Sequence, residues 1–182
     1  MNIAHPVVPI DLVLDRQMAR DVLKAVLHAI LFHRLFGCVK PMTFEILDVT
    51  IPGVDDEDVK QLVDAKVGAL WRAIEGGVHK SGQINITFSE KRPRKVWFLI
   101  DGEEEVIWEQ WTINAEIRQP VNEKQRHAFE AELASTLTKS LEMILTHTSS
   151  ESGRTAVPLI TNAQNISPFP YKVGVKVGGS EV

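Results

Sequence analysis

Val106-Ile-Trp-Glu-Gln-Trp-Thr-Ile-Asn-Ala-Glu-Ile-Arg118 decides the fold class. From Trp111 onward it alternates: Trp111, Ile113, Ala115 and Ile117 on one side, Thr112, Asn114 and Glu116 on the other. A period of two buries one face of a strand and leaves the other wet, the habit of an antiparallel sheet. Gln83–Glu90 alternates in the same way, with Ile84, Ile86 and Phe88 opposed to Gln83, Asn85, Thr87 and Ser89. Near the C-terminus Tyr171, Val173, Val175 and Val177 alternate with Lys172, Gly174 and Lys176. Pro6–Leu14 and Phe44–Ile51 are further strand candidates.

Helices must cover the single apolar face. The first is expected over Arg16–Phe36, with Asp15 as N-cap and Gly37 as a left-handed C-cap. Val22, Leu23, Val26, Leu27, Ile30, Leu31 and Leu35 give it a wide apolar stripe, the mark of a central helix. The second is expected over Asp56–Glu75, opened by acidic residues that suit the positive helix end and stopped by Gly76–Gly77. The third is expected over Asn122–His147, with Phe129, Leu133, Leu137, Leu141, Ile144 and Leu145 inward. Thr148–Leu159 reads as a polar loop and Ile166–Pro170 as extended chain. The pattern predicts a two-layer α+β domain over residues 1–182, three helices on one face of an antiparallel sheet, closed by an extended C-terminal segment, 148–182.

The bulk numbers narrow the function. The 182 residues suffice for one core. A net charge of −4 argues against bulk affinity for nucleic acid or anionic lipid. The single cysteine, Cys38, excludes an intrachain disulfide. The start, Met-Asn-Ile-Ala-His-Pro, is not a secretory leader. Val22–Phe36 carries Lys24, His28, His33 and Arg34 and is too short to span a membrane. A soluble cytosolic or nuclear protein is expected.

Catalytic chemistry has few footholds. No G-x-S-x-G, P-loop or strand-linked G-x-G-x-x-G occurs. Cys38 invites comparison with ubiquitin-conjugating enzymes, but its Gly-Cys-Val-Lys setting reads as a small half-buried residue near a helix end. His28 and His33 stand five apart on one helix, which turns them away from a shared metal. Asp55–Asp58 lacks the alternating oxygens of a calcium loop and reads as a solvated helix start. No catalytic residue, cofactor site or metal site is expected.

Lys91–Glu105 breaks the pattern. A basic arm (Lys91–Lys95), an apolar tip (Val96–Ile100) and an acidic return (Asp101–Glu105) form a connection of about fifteen residues. Loops this long are uncommon in compact domains and often functional. Three readings compete: a third strand folded back with Trp97 in the core, a nuclear-localisation-like basic cluster, or an exposed apolar tip that grips a partner.

Several stretches resemble the autophagy-related protein 101 family. They are the first helix, with Val26-Leu-His-Ala-Ile-Leu-Phe-His-Arg34, the strand Val106-Ile-Trp-Glu-Gln-Trp-Thr-Ile113, the preceding Trp97–Phe98, and Pro168-Phe-Pro-Tyr-Lys172. The resemblance spans most of the chain in order, and its length suggests a fungal member. It implies a single HORMA domain with a finger loop at 91–105. It implies a non-catalytic scaffold of the autophagy-initiation kinase complex. The implied partner is the HORMA domain of autophagy protein 13, in a heterodimer. Downstream factors would be recruited through Trp97 and Phe98, in the cytoplasm and at the phagophore assembly site. Animal members place a proline between these aromatics. Here the two are adjacent, so strand geometry would point them to opposite sides. No C-terminal helix or membrane-contacting tail is expected. Two alternatives remain: a checkpoint-type HORMA protein that clamps a peptide under its C-terminal segment, and a ubiquitin-transfer enzyme using Cys38.

Overall fold

A computed structural model describes residues 4–97, 99–162 and 165–182. Its main sheet has the order β1-β5-β4-β6-β7, from Val7–Leu14 (β1), Leu99–Ile117 (β5), Ser81–Val96 (β4), Tyr171–Val177 (β6) and Ser180–Glu181 (β7). A separate hairpin joins Pro41–Ile46 (β2) to Val49–Val54 (β3). The helices are Ala19–Arg34 (α1), Glu57–Glu75 (α2), Glu123–Ser149 (α3) and Glu151–Ala156 (α4). The α+β class and the facing of each alternating strand hold. Ile84, Ile86, Trp111, Ile113, Val173 and Val175 all lie on one buried face with Ile10 and Leu12 of β1.

The sheet is mixed and not purely antiparallel, because β1 runs parallel to β5. Alternation reports which face a side chain takes and is silent on strand direction. The expected Phe44–Ile51 strand is the middle of a hairpin, and its turn residues Leu47 and Asp48 take φ of 50° and 61°. A two-residue turn of this hand normally carries Asn or Gly, so the residues conceal it.

Helix α1 is buried nearly all round, packed against the sheet, β3, α2 and α3. It starts three residues later than expected. Asp15 caps the preceding turn, its carboxylate accepting from the Met18 N–H at 2.9 Å. It ends in the extended residue Leu35, and Gly37 is no left-handed cap. Gly37 is needed for close approach: a Cβ there would sit 1.7 Å from the Asn165 carbonyl oxygen. Asp56 and Asn122 do cap α2 and α3, accepting from the Val59 and Gln125 N–H groups. On α3 Leu133, Leu137 and Ile144 are buried, but Leu145, expected inside, is 53% exposed.

The expected loop after α3 contains the fourth helix. Ser150 ends α3 and caps α4, its hydroxyl accepting from the Gly153 N–H at 3.0 Å. A Cβ at Gly153 would meet the His147 carbonyl at 1.8 Å, so this tight junction admits only glycine. Among the described residues no helix is long and apolar enough to cross a membrane.

Candidate functional site

Lys91–Val96 and Leu99–Glu105 are strands and not a loop. β4 and β5 run on past the sheet as a two-stranded ribbon, with Val96 paired to Leu99 at its end. Lys91 faces Glu105, Arg92 faces Glu104 and Pro93 faces Glu103, so the basic and acidic arms oppose each other strand to strand. Cross-strand neighbours of opposite sign favour this register over slipped ones. Val96 and Leu99 belong to the ribbon and do not fold back into the sheet. Trp97 stands at the turn with 88% of its surface exposed, outside the core. Phe98, the other expected finger residue, lies outside the described residues.

The ribbon leaves the sheet at a β-bulge. Phe88 pairs with Glu109 and Ser89 with Ile107, which leaves Trp108 as the extra residue of β5. A bulge bends its strand and re-aims the side chains beyond it. Here it lets the adjacent Trp108 and Glu109 both enter the interior. The rings of Phe36, Phe169, Trp108, Phe88 and Tyr171 follow one another with centroids 5.3–6.4 Å apart. They fasten the bulge to the end of α1 and the approach to β6.

Ser89 is 1% exposed and bonded three ways. Its hydroxyl donates to Glu105 Oε1 at 2.7 Å, its N–H donates to the Pro170 carbonyl at 3.0 Å, and its carbonyl accepts from Trp108 Nε1 at 3.2 Å. Lys172 of β6 lies 3.5 Å from the same Glu105 oxygen. The Ser89 hydroxyl, followed by the Lys172 charge, holds the Glu105 carboxyl below the usual carboxylate range.

Beneath the bulge is a buried ionic cluster that no sequence reading singled out. The Glu109 carboxylate has no exposed surface. It accepts from Arg34 Nε and Nη2, each at 2.7 Å, and from Trp111 Nε1 at 2.7 Å, while His147 Nε2 lies 2.6 Å away. Arg34 Nη2 also donates to the Gly153 carbonyl at 3.0 Å. Burial pushes the Glu109 carboxyl up, but the Arg34 bonds and charge, with His147 and Trp111, outweigh it and set it below the ordinary range. The cluster ties α1, β5, α3 and α4 together. The available signals were a glutamate between two tryptophans and an arginine ending an apolar helix. Neither names its partner, because 75 residues separate Arg34 from Glu109.

The remaining candidates separate. His28 is buried, and its Nδ1 accepts from the Val54 N–H at 3.2 Å; burial lowers its pKa to about 4 and keeps it neutral. His33 bonds the Ala29 carbonyl one turn back. Cys38 is exposed and not half-buried as expected. Asp55 is flanked by Lys60 and Lys40 at 2.7 and 3.1 Å, which lower its pKa, Lys60 contributing first. No group of three or more His, Cys, Asp or Glu suited to a metal occurs among the described residues. A groove of about 660 Å³ is lined by residues of β1, β4, β5, β6 and α3, among them Gln83, Asn114, Phe129 and Lys176. Two of its amides are bonded to its other polar groups: Gln83 donates to Asn114, and Asn114 to Asp11.

The family model described as Autophagy-related protein 101 matches residues 11–164, a stretch that includes the ribbon, its bulge and the Glu109 cluster. The chain is 31% identical to Autophagy-related protein 101 of Schizosaccharomyces pombe over 128 residues, 70% of this chain and 68% of that protein. It is 34% identical to Autophagy-related protein 101 of Arabidopsis thaliana over 104 residues, 56% of this chain and 47% of that protein. The chain belongs to the autophagy-related protein 101 family, and its role lies in autophagy.

Proposed function

We propose that the chain is a non-catalytic adaptor of the autophagy-initiation kinase complex. As a single HORMA domain it binds and stabilises the HORMA domain of autophagy protein 13 and works at the phagophore assembly site. It recruits downstream factors through the finger that carries Trp97 and Phe98. The observation that carries this reading is Trp97, exposed at the end of a ribbon that leaves the sheet. An exposed tryptophan costs solubility unless it is used, and such aromatics dominate interface energetics.

The peptide-clamping alternative is less well supported. A clamp needs a free strand edge beside the sheet centre and a C-terminal segment able to move. Here β1 covers one edge of the β5–β4 pair over eight residues, and β6 covers the other over seven. The ubiquitin-transfer alternative rests on Cys38 alone, and a Cys38→Ser variant with full autophagic flux removes it.

Mixing the chain with an autophagy-13-type HORMA domain at micromolar concentration should give a one-to-one complex by size-exclusion chromatography with light scattering. Two separate monomers would defeat the proposal.

A further inference from the structure

We infer that Ser89 and Glu105 are positioning residues that fix the direction in which the finger points, and that the start of β6 is the abutment they lean on. This rests on the finger reading above. A two-stranded ribbon outside its sheet is only marginally ordered by its own contacts, and its direction is set where it leaves the body of the protein. At that point a bulge gives β4 and β5 a local bend. Main-chain ladder bonds fix the spacing of the two strands, but they leave the pair able to swing as a unit.

Ser89 and Glu105 supply what the ladder lacks. Ser89 is buried, and its N–H bonds the Pro170 carbonyl, outside the ribbon. Its hydroxyl reaches across to Glu105 on the opposite arm, and Lys172 of β6 closes on the same carboxylate oxygen. Ser89 is therefore bonded to both its own ribbon and the C-terminal segment, and Glu105 bridges the far arm to β6. Pro170 and Lys172 belong to one short run whose neighbour Phe169 packs on Trp108, the bulge residue itself, with ring centroids 5.5 Å apart. A finger held in this way presents Trp97 in one pose, so a partner does not have to pay the ordering cost of capturing a swinging arm.

The test measures aim separately from recruitment. In a Cys38→Ser parent, nitroxides at Gln61→Cys on α2 and Glu103→Cys on the ribbon report the finger-to-body distance by pulsed electron resonance. The parent should give one narrow distribution. Ser89→Ala and Glu105→Ala should each at least double its width, whereas Glu105→Gln, which keeps an acceptor for the Ser89 hydroxyl, should match the parent. Parent-like widths for both alanine variants would overturn the inference. If Ser89→Ala fails to fold, Glu105→Ala decides alone, because its side chain is at the surface. Autophagic flux in cells lacking the endogenous copy should fall at least twofold with Glu105→Ala and hold with Glu105→Gln. A Trp97→Ala variant with full flux would defeat the recruitment reading, while the distance widths would still judge the aim.

Discussion

Glu109 and Glu105 lie four residues apart on one strand and live in opposite physical worlds. Glu109 is sealed beneath the bulge with four contacts from three side chains, whereas Glu105 faces water on the ribbon and meets the body only at its edge. A buried carboxylate must be matched bond for bond, because an uncompensated charge in the interior is expensive. A carboxylate in water gains little from one more partner. The bulge at Trp108 separates the two regimes. On one side β5 holds the protein together; on the other it carries something outward. On the proposed reading, stability and recruitment are divided along a single strand, and substitutions on either side should fail in different ways.

The largest effect is expected in the cluster. Arg34→Ala strands the Glu109 charge and leaves the Gly153 carbonyl without its donor, at a cost of about 3–5 kcal/mol. A domain of this size holds only about 5–15 kcal/mol in all, so chemical denaturation should show a large loss. The paired replacement Arg34→Met with Glu109→Leu should recover only part of it, since it removes the stranded charge but leaves the Gly153 carbonyl, Trp111 Nε1 and His147 Nε2 without these partners. A loss below about 1 kcal/mol for Arg34→Ala would erase the contrast between the two ends of β5.

A second effect sharpens the comparison through pH. The unfolded chain protonates His28 near its ordinary value, while the folded chain resists until about pH 4. Between those values the unfolded state binds more protons, so stability falls as the pH is lowered through that window. The full difference is worth about 3 kcal/mol. Urea midpoints measured from pH 7.5 to 5 should show this slope, and His28→Gln should flatten it. An equal slope in the variant would place the sensitivity elsewhere. Below this range loss of the Glu109 charge should add to it, because that carboxyl is depressed and its stabilisation disappears as the pH falls through its folded value.

The smallest effect on stability is expected at the finger tip. Trp97→Ala should leave the unfolding free energy within about 0.5 kcal/mol, as surface substitutions do, and should still bind the proposed HORMA-domain partner. Autophagic flux should nevertheless fail. If Trp97 were core, truncation would cost about 3–5 kcal/mol, so a thermal melt separates the two cases cleanly.

The residues alone determined the α+β class, the buried face of each alternating strand and, to within a residue or two, the extents of α2 and α3, because these follow from local periodicity. Local pattern also marked Lys91–Glu105 as unusual and Val96–Ile100 as its apolar tip. Three things were decided only by tertiary structure. The direction of β1 depends on a neighbour some hundred residues away. The ribbon depends on Lys91–Pro93 and Glu103–Glu105 meeting across a turn, which converts an apparent loop into two strands. The Arg34–Glu109 cluster depends on α1 and α3 carrying Arg34 and His147 to Glu109: alternation puts Glu109 on the buried face with Trp111, but it does not name the partners that let a carboxylate be buried there. Each is a pairing between distant segments, and a pattern read along the chain records what a residue needs without recording which residue will meet it.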